Sequence, residues 1–363
     1  MIVFTKMKLQ GYQEAAIAYQ QNLDNLDFIP IHSGLINQSY QVKNIHNKSS
    51  FFLQQINKSI FPDIASLQQN YFTIWEDCLQ TEHAIRIPHP YRFPNGETYF
   101  TDQENQVWRI TEFLDETTTY TTAVNIEQLK KAAIAFGNYA KTLSKIDPQK
   151  IKPVIPHFHD LSFRWEQFQD ALQKGIPERI EECSSIIQEL LQRKFYIERF
   201  LEMQSAPNKF RIRLLHHDAK IANLLFDKKG ETIKAIVDLD TTMPGIFFSD
   251  LGDMIRSMAA ELGENSNDWT RLQISPLRYK TITEGYLESM NKVLTPEEIA
   301  GIHYAGLFMF YMQSIRFASD YLTGDHYYKT ERAGQNRDRS KNQLLLLQSL
   351  EELLKNEYDF SAH

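Results

Sequence analysis

The sequence has few cysteines and no long hydrophobic run. Its 363 residues include two cysteines, Cys78 and Cys183, which cannot form a disulfide framework and are typical of free thiols in a reducing compartment. Apolar stretches such as "AGLFMFYM" are too short to span a bilayer, and the first residues lack the apolar core of a signal peptide. We therefore expect a cytoplasmic protein with no membrane partner.

The chain also lacks an excess of positive charge. It has 39 basic and 46 acidic residues and a net charge of −7. This balance argues against a general nucleic-acid binder, although a local basic cleft stays compatible with it. Hydrophobic residues make up 42% of the chain and charged residues 23%, as in ordinary globular proteins. The length suggests two lobes rather than one core, while the oligomeric state is not indicated.

The first hundred residues change character about every ten positions. "FIPIHSGLINQSYQV" and "SSFFLQQIN" are rich in β-branched and aromatic residues and predict a hairpin. "FPDIASLQQNYFTIWEDCLQ" has apolar residues at helical spacing, and short strands are expected around the turn at Asn95-Gly96. Residues 1–114 are therefore predicted to form a small, β-rich lobe.

Residues 115–363 have mainly helical patterns. "NIEQLKKAAIAFGNYAKTLSKI" and "ERIEECSSIIQELLQRKFYIERFLEM" are amphipathic, and residues 296–354 are helical except for a break at "LTGDHYYKTERAGQ". Pro296 after Thr295 fits the first position of a capped helix. "RIRLLHHD", "ANLLFD" and "KAIVDLD" are the exceptions and predict short strands. The expected fold class is α+β, with a second lobe that is larger and mainly helical.

Polar residues cluster at the ends of these short strands. His216, Asp218 and Asn223 have the spacing H-x-D-x-x-x-x-N, and Asp238-Leu239-Asp240 follows a predicted hairpin through Lys229-Gly230. The simplest interpretation is that these residues are turn formers and an exposed strand end. Phosphoryl transfer from ATP, however, needs a carboxylate base and, as Mg²⁺ ligands, an Asn and an Asp, with base and Asn five residues apart.

This spacing predicts a role for each residue. Asp218 is the expected catalytic base, and His216 is expected to orient the loop through hydrogen bonds. Asn223 and Asp238 are the expected Mg²⁺ ligands, with Asp240 as a further metal contact, because hard oxygen ligands suit Mg²⁺. The expected phosphoryl donor is ATP, bound with Mg²⁺.

At these residues the sequence resembles the aminoglycoside phosphotransferase-like kinases, which share a two-lobed fold with protein kinases. It most resembles their N-acetylhexosamine 1-kinase branch. The similar segments run in order over about residues 28–345: "SGLINQSYQV", "FFLQQIN", "WRITEFL", "FHDLSFR", "HHDAKIANLLFD", "VDLDTTMPG", "SDLGDMIR", "IRFASDYLTGDHYY" and "NRDRSKNQL". The resemblance implies transfer of phosphate from ATP to the anomeric hydroxyl of N-acetylglucosamine or N-acetylgalactosamine.

The resemblance also assigns residues in the second lobe. Arg316 is implied to contact the sugar, although a salt bridge to Asp320, four residues later, is an equal alternative. Asp253 is implied to hold the catalytic loop, and Arg339 to be a structural cation. Tyr321 is a candidate for stacking on a sugar face, as are its neighbours Tyr327 and Tyr328.

The expected nucleotide-binding residues depart from the protein-kinase pattern. Gln54 takes the place of the third-strand lysine and supplies an amide but no charge. A single glycine, Gly34, stands where a glycine-rich loop is expected. The backbone N–H groups that follow it, up to that of Asn37, are expected to contact phosphate. The branch has a histidine where this chain has Leu35, so its sugar specificity is open.

These features predict an ATP-dependent small-molecule kinase. Residues 1–114 would bind the nucleotide, and residues 115–363 would carry the catalytic residues and the acceptor site. The acceptor is expected to be a sugar. Alternatives are a kinase for another small alcohol, such as an aminoglycoside, choline, homoserine or a different sugar, or a non-catalytic binding module, which only Gln54 favours.

Overall fold

The computed structural model describes residues 9–19, 21–31, 37–79, 81 and 84–361. Within these ranges, no helix combines the length and the apolar character needed to cross a membrane. Gly34 and Leu35 lie outside the described residues.

The first lobe contains an antiparallel sheet. The predicted hairpin is confirmed, with Ser39 opposite Gln54, and strand alternation directs Val42, Leu53 and Ile110 into a core beneath the sheet. The strands are β1 (Leu26–Ile31), β2 (Gln38–Asn44), β3 (Ser50–Ile56), β4 (Pro90–Tyr91), β5 (Phe100–Thr101) and β6 (Val107–Glu112), in the order β1-β2-β3-β6-β4, with β5 also paired to β6.

Two helices accompany this sheet. Helix α1 (Gly11–Ala18) packs with its alanines against the core that contains Val42. Helix α2 (Ile64–Leu79), which the sequence predicts, packs Ile64 and Leu67 against Ile56. The turn expected at Asn95-Gly96 is also present, because the Gly96 N–H donates to the Phe93 carbonyl and Gly96 has φ +88°.

The second part of the chain is mainly helical, so the predicted two-part architecture is confirmed. Its strands form two short sheets, β11-β8 and β10-β9-β7. The strands are β7 (Thr117–Thr118), β8 (Ile212–Leu215), β9 (Leu224–Asp227), β10 (Ile233–Ile236) and β11 (Met243–Ile246). The helices are α3 (Ile126–Leu143), α4 (Leu161–Lys174), α5 (Pro177–Glu182), α6 (Ser184–Gln192), α7 (Phe195–Gln204), α8 (Phe248–Met258), α9 (Pro276–Met290), α10 (Pro296–Ala300), α11 (Tyr304–Thr323) and α12 (Gln335–Tyr358).

Local details mostly follow the sequence. Thr295 caps α10 through a capping box with Glu298, and the helix break expected after Leu322 begins at Gly324, which has φ +116°. The stretch predicted as one long amphipathic helix over residues 178–203 is three helices, α5, α6 and α7, because the backbone leaves helical geometry at Cys183 and Arg193. The boundary at residues 114 and 115 falls between β6 and β7 and stays a prediction.

Helix α11 lies at the centre of the second lobe. It is buried on nearly all sides, and it packs against α4, α8 and α12. A helix that is apolar all round must be enclosed by others. The face of α11 that carries Arg316 lies near the loop between Val154 and Asp160. The polar residues of the candidate site follow strands of the two short sheets.

Candidate active site

Asp218 lies in the loop that follows β8. Its carboxylate Oδ2 accepts hydrogen bonds from Lys220 Nζ at 2.7 Å and from Asn223 Nδ2 at 2.8 Å. Burial acts to raise the pKa of Asp218, but the ammonium of Lys220 and these hydrogen bonds outweigh it and lower the pKa below its usual value. Asp218 is therefore ionised at neutral pH, as a base must be.

His216 is fully buried and fixes the start of this loop. Its Nε2–H donates to the Val237 carbonyl at 3.0 Å, and its Nδ1 accepts the backbone N–H of Asp218 at 3.3 Å. The ring connects Asp218 to the segment just before Asp238. The structure therefore places His216 where the predicted orienting role requires it.

Asp250, near the start of α8, fixes the backbone of the same loop. Its two carboxylate oxygens accept the backbone N–H groups of His216 at 3.1 Å and His217 at 2.7 Å. The sequence prediction gave this role to Asp253, and that was the wrong aspartate of "SDLGD". Asp253 instead accepts from Arg256 Nε at 2.8 Å, and its buried Oδ2 has no hydrogen-bond partner in the described part of the chain.

His217 turns the loop away from β8. Its φ of +63° lies in the left-handed region, and its Nε2–H donates to the Met243 carbonyl at 3.1 Å. A side chain at Gly245 would approach His217 Cε1 to 2.5 Å, so only glycine leaves room for the ring. His217 Nδ1 accepts from the Ser249 hydroxyl, which in turn accepts from His159. This chain of bonds links the catalytic loop to residues 158–160.

Asn223 and Asp238 meet beside Asp218. The Val237 N–H donates to the Asn223 carbonyl at 3.0 Å, which brings Asp238 next to Asn223. Asp238 has φ +62°, in the left-handed region, and is exposed at the end of the segment that follows β10. The surrounding protein, which displaces water, and the nearby carboxylates of Asp218 and Asp240 raise the pKa of Asp238 to about 7.

Asp240 is bound by an arginine of the other lobe. Arg109 Nη1 and Nη2 donate to the two oxygens of Asp240 at 2.5 and 2.8 Å, and both side chains are almost fully buried. Arg109 also donates to Gln54 Oε1, its cross-strand partner. Because Arg109 takes both carboxylate oxygens, this geometry gives the predicted metal contact of Asp240 no support.

Of the residues expected to bind nucleotide, Gln54 and Asn37 lie in the described part of the chain. Gln54 Nε2 donates to the Ser39 hydroxyl at 3.1 Å, so its amide spans Ser39 and Arg109. Asn37 Oδ1 accepts the backbone N–H of Asn57 at 2.9 Å, which joins the two ends of the β2–β3 hairpin. Gly34 lies outside the described residues, and its role stays a prediction.

Arg316 does not pair with Asp320. Its guanidinium lies 5.5 Å from the ring centroids of Phe158 and Tyr328 and 5.8 Å from that of Tyr327. Asp320 instead accepts the backbone N–H groups of residues 326–328, which holds the two tyrosines against Arg316. Because Phe158 is also 6.3 Å from His217, this cluster lies next to the catalytic loop.

Tyr321 is not brought to this cluster. Its hydroxyl donates to Glu182, and Arg179 and Arg337 lie over its ring at 4.7 and 5.9 Å. Arg179 and Glu182 belong to α5, and Arg337 belongs to α12. Tyr321 therefore faces a different side of α11 from Arg316. The predicted substrate contact of Tyr321 is not supported by any contact described for it.

Sequence reasoning missed four residues near the site. Lys220 had a signal, since it lies two residues after the predicted base. Arg109 sits in the quoted "WRITEFL", but its partner is 131 residues away. Asp250 was passed over for Asp253, and Arg164, in "FHDLSFR", has only neutral local partners, Gln167 and the Phe158 carbonyl, which do not mark it in the sequence.

Solved structures similar to this chain include kinases and phosphotransferases of small molecules. One is a microcompartment-associated aminopropanol kinase, 16% identical with a TM-score of 0.66, which covers 93% of this chain and 95% of its own. Another is an ethanolamine kinase of Plasmodium vivax, 17% identical with a TM-score of 0.60 and coverages of 94% and 92%. A third is a spectinomycin phosphotransferase in complex with ADP and spectinomycin, 12% identical with a TM-score of 0.59 and coverages of 97% and 99%.

These likenesses establish a protein-kinase-like fold. Residues 27–272 match the phosphotransferase enzyme family, and the chain belongs to that family. The family match shows that the chain is a phosphotransferase. The sequence prediction of a small-molecule kinase is confirmed at this level.

Proposed function

We propose that this kinase transfers the γ-phosphoryl group of ATP to the anomeric hydroxyl of an N-acetylhexosamine. This proposal rests on the ionised Asp218 beside Asn223 and Asp238. These residues lie next to the acceptor cluster, which consists of Arg316, Phe158, Tyr327 and Tyr328. Asp218 accepts the proton of the acceptor hydroxyl as that oxygen attacks phosphorus. Lys220 Nζ lies 2.7 Å from the Asp218 carboxylate, so its ammonium group is next to the place where the phosphoryl group is transferred. There it stabilises the negative charge of the transferred group.

The residues present fit a magnesium ion. The Oδ1 of Asn223 accepts no hydrogen bond from the described residues, and Asp238 is exposed. In that part of the chain, no cluster of three or more His, Cys, Asp or Glu residues forms a metal site of its own. Two protein ligands suit Mg²⁺ in kinases, where nucleotide phosphates supply others. Bound there, Mg²⁺ would neutralise phosphate charge; Asn223 and Asp238 would hold it.

The acceptor cluster favours a sugar over a polycation. Aromatic faces of Phe158, Tyr327 and Tyr328 surround Arg316, and this mixture of polar and aromatic groups suits a neutral sugar. A polycationic aminoglycoside would need acidic side chains there instead. The similar structures act on aminopropanol, ethanolamine and spectinomycin, so the acceptor proposed here differs from theirs.

The direct test is ADP release with Mg²⁺-ATP across a panel of acceptors. The panel contains N-acetylglucosamine, N-acetylgalactosamine, other hexoses, choline, ethanolamine, homoserine and kanamycin. We expect turnover with an N-acetylhexosamine and an acid-labile sugar 1-phosphate as the product. Turnover with another acceptor alone would reject the sugar and keep the mechanism. ATP binding without turnover of any acceptor would favour a non-catalytic binding module.

Replacing Arg316 tests where the acceptor binds. We expect Arg316→Ala to raise the KM for the sugar at least about tenfold and to leave the KM for ATP nearly unchanged, because a hydrogen bond from a charged group contributes about 1.5–3 kcal/mol. Steady-state kinetics with each substrate varied in turn measure this. Arg199→Ala, on the exposed face of α7, is the control and should alter neither KM. Equal changes in both KM values would move Arg316 out of the acceptor site.

A further inference from the structure

Two buried arginines beside the Asp218 loop have no acidic partner among the described residues. Four arginines are buried among the described residues: Arg109, Arg164, Arg213 and Arg316. Arg109 and Arg213 each bind a carboxylate through two nitrogens, Arg109 to Asp240 and Arg213 to Glu298. Neither Arg164 nor Arg316, each only 8% exposed, forms an ion pair in that part of the chain.

The hydrogen bonds of Arg164 and Arg316 are incomplete. Arg164 Nη1 donates to Gln167 at 2.8 Å and Nη2 to the Phe158 carbonyl at 3.1 Å, but its buried Nε has no partner among the residues that the structure describes. Arg316 donates to Gln313 at 3.3 Å. A guanidinium carries five N–H donors, so several remain available to a ligand. Burying a charge without a partner is costly, which makes an electron-rich ligand favourable here.

The two arginines are also close enough to affect each other. Burial and the charge of Arg316 lower the pKa of Arg164 to about 10, and both lie against the aromatic cluster around Phe158. Three acids around this cluster bind other groups. Asp160 accepts from His157, Ser162 and the Phe163 N–H, and Asp320 holds residues 326–328. Glu264 pairs with Arg256.

We infer that Arg164 and Arg316 together determine the charge of the acceptor. They bind an electron-rich oxygen of a neutral or acidic acceptor, such as the carbonyl of an acetamido group, and they exclude acceptors that carry an ammonium group. This inference rests on the proposed function, because it assumes that the acceptor lies in the cluster beside Asp218. It makes Arg164 a residue that determines specificity for the reaction. A third positive charge placed between two buried guanidinium groups has no partner and is repelled by both.

A matched pair of sugars tests the inference. N-acetylglucosamine and glucosamine differ in whether the nitrogen is acylated or is an ammonium group at neutral pH. We expect a strong preference of the wild type for N-acetylglucosamine, measured as the ratio of kcat/KM values. Arg164→Gln and Arg316→Gln each remove one charge and should shrink this ratio at least about tenfold. Activity of the wild type on glucosamine should rise as its amine loses the proton at higher pH.

Two controls separate charge from packing. Arg164→Lys keeps the charge but loses the planar guanidinium, so it should keep rejecting glucosamine. Arg199→Gln removes an exposed positive charge from α7 and should leave the ratio unchanged. Thermal melting of each variant checks that it is folded. An unchanged ratio in both Arg164→Gln and Arg316→Gln would overturn the inference, as would equal activity of the wild type on the two sugars.

A binding experiment makes the inference independent of turnover. Sulfate is titrated into protein saturated with Mg²⁺ and a non-hydrolysable ATP analogue, so that the phosphate-binding site is filled. We expect calorimetric binding to the wild type and to Arg199→Gln, and its loss in the Arg164→Gln/Arg316→Gln variant. If no hexose is phosphorylated but this pattern holds, the proposed function fails and the inference stands. No sulfate binding together with no turnover would overturn both.

Discussion

Asp218→Asn is expected to reduce phosphoryl transfer by a factor of about 10²–10⁴, the usual contribution of a positioned general base. Asparagine has nearly the same shape but cannot accept a proton from the acceptor hydroxyl. Nucleotide binding should survive, because Asn223 and Asp238 are unchanged. The measurements are single-turnover phosphoryl transfer and, separately, the Kd for Mg²⁺-ATP by calorimetry.

Asp227→Asn is the matched control for this prediction. Asp227 ends β9, close to Asp218 in the chain, and its carboxylate forms hydrogen bonds with Glu231 and Thr232 in the hairpin turn. Asparagine serves equally well in such a turn, so activity should be retained. An Asp218→Asn enzyme with wild-type kcat would remove Asp218 from the mechanism.

Arg109→Gln is expected to have the largest effect on stability. It leaves the buried carboxylate of Asp240 without its cation, and breaking a buried pair in this way costs about 3–5 kcal/mol of unfolding free energy. Activity should also fall and require more Mg²⁺, because Asp240 lies in the turn that begins at Asp238 and Arg109 fixes its position. Urea unfolding and the Mg²⁺ dependence of kcat measure the two effects.

An exposed ion pair gives the comparison for Arg109. Arg86 and Glu112 also pair at 2.5 Å, but the Arg86 side chain is 56% exposed, so Arg86→Gln should cost at most about 1 kcal/mol. A double variant, Arg109→Met with Asp240→Leu, should regain part of the lost stability because no unpaired charge remains. Equal losses in Arg109→Gln and Arg86→Gln would show that burial does not strengthen the dependence on this pair.

The sequence is informative where the chemistry is local. Asp218 and Asn223 are five residues apart, and Asp238 follows a strand. This spacing was enough to predict that the three residues lie close together. Periodicity also found α2, α3 and the β9–β10 hairpin, because these elements depend on contacts between near neighbours.

The remaining features depend on distant contacts that no spacing reports. Arg109 meets Asp240 from the other lobe, and Arg164 approaches Arg316 from a different helix. The choice between Asp250 and Asp253 depends on how α8 is rotated about its axis, since residues three apart lie on adjacent faces of a helix. Packing of the whole lobe sets that rotation.

The way Asp320 holds its loop has a consequence for how this enzyme can change over evolution. Its carboxylate accepts three consecutive backbone N–H groups, at residues 326, 327 and 328, and it also accepts Asn336 Nδ2. Every residue except proline supplies such an N–H. Tyr327 and Tyr328 can therefore be exchanged for other side chains while the path of the loop is kept. New acceptors become accessible by single substitutions, without rebuilding the scaffold that carries them.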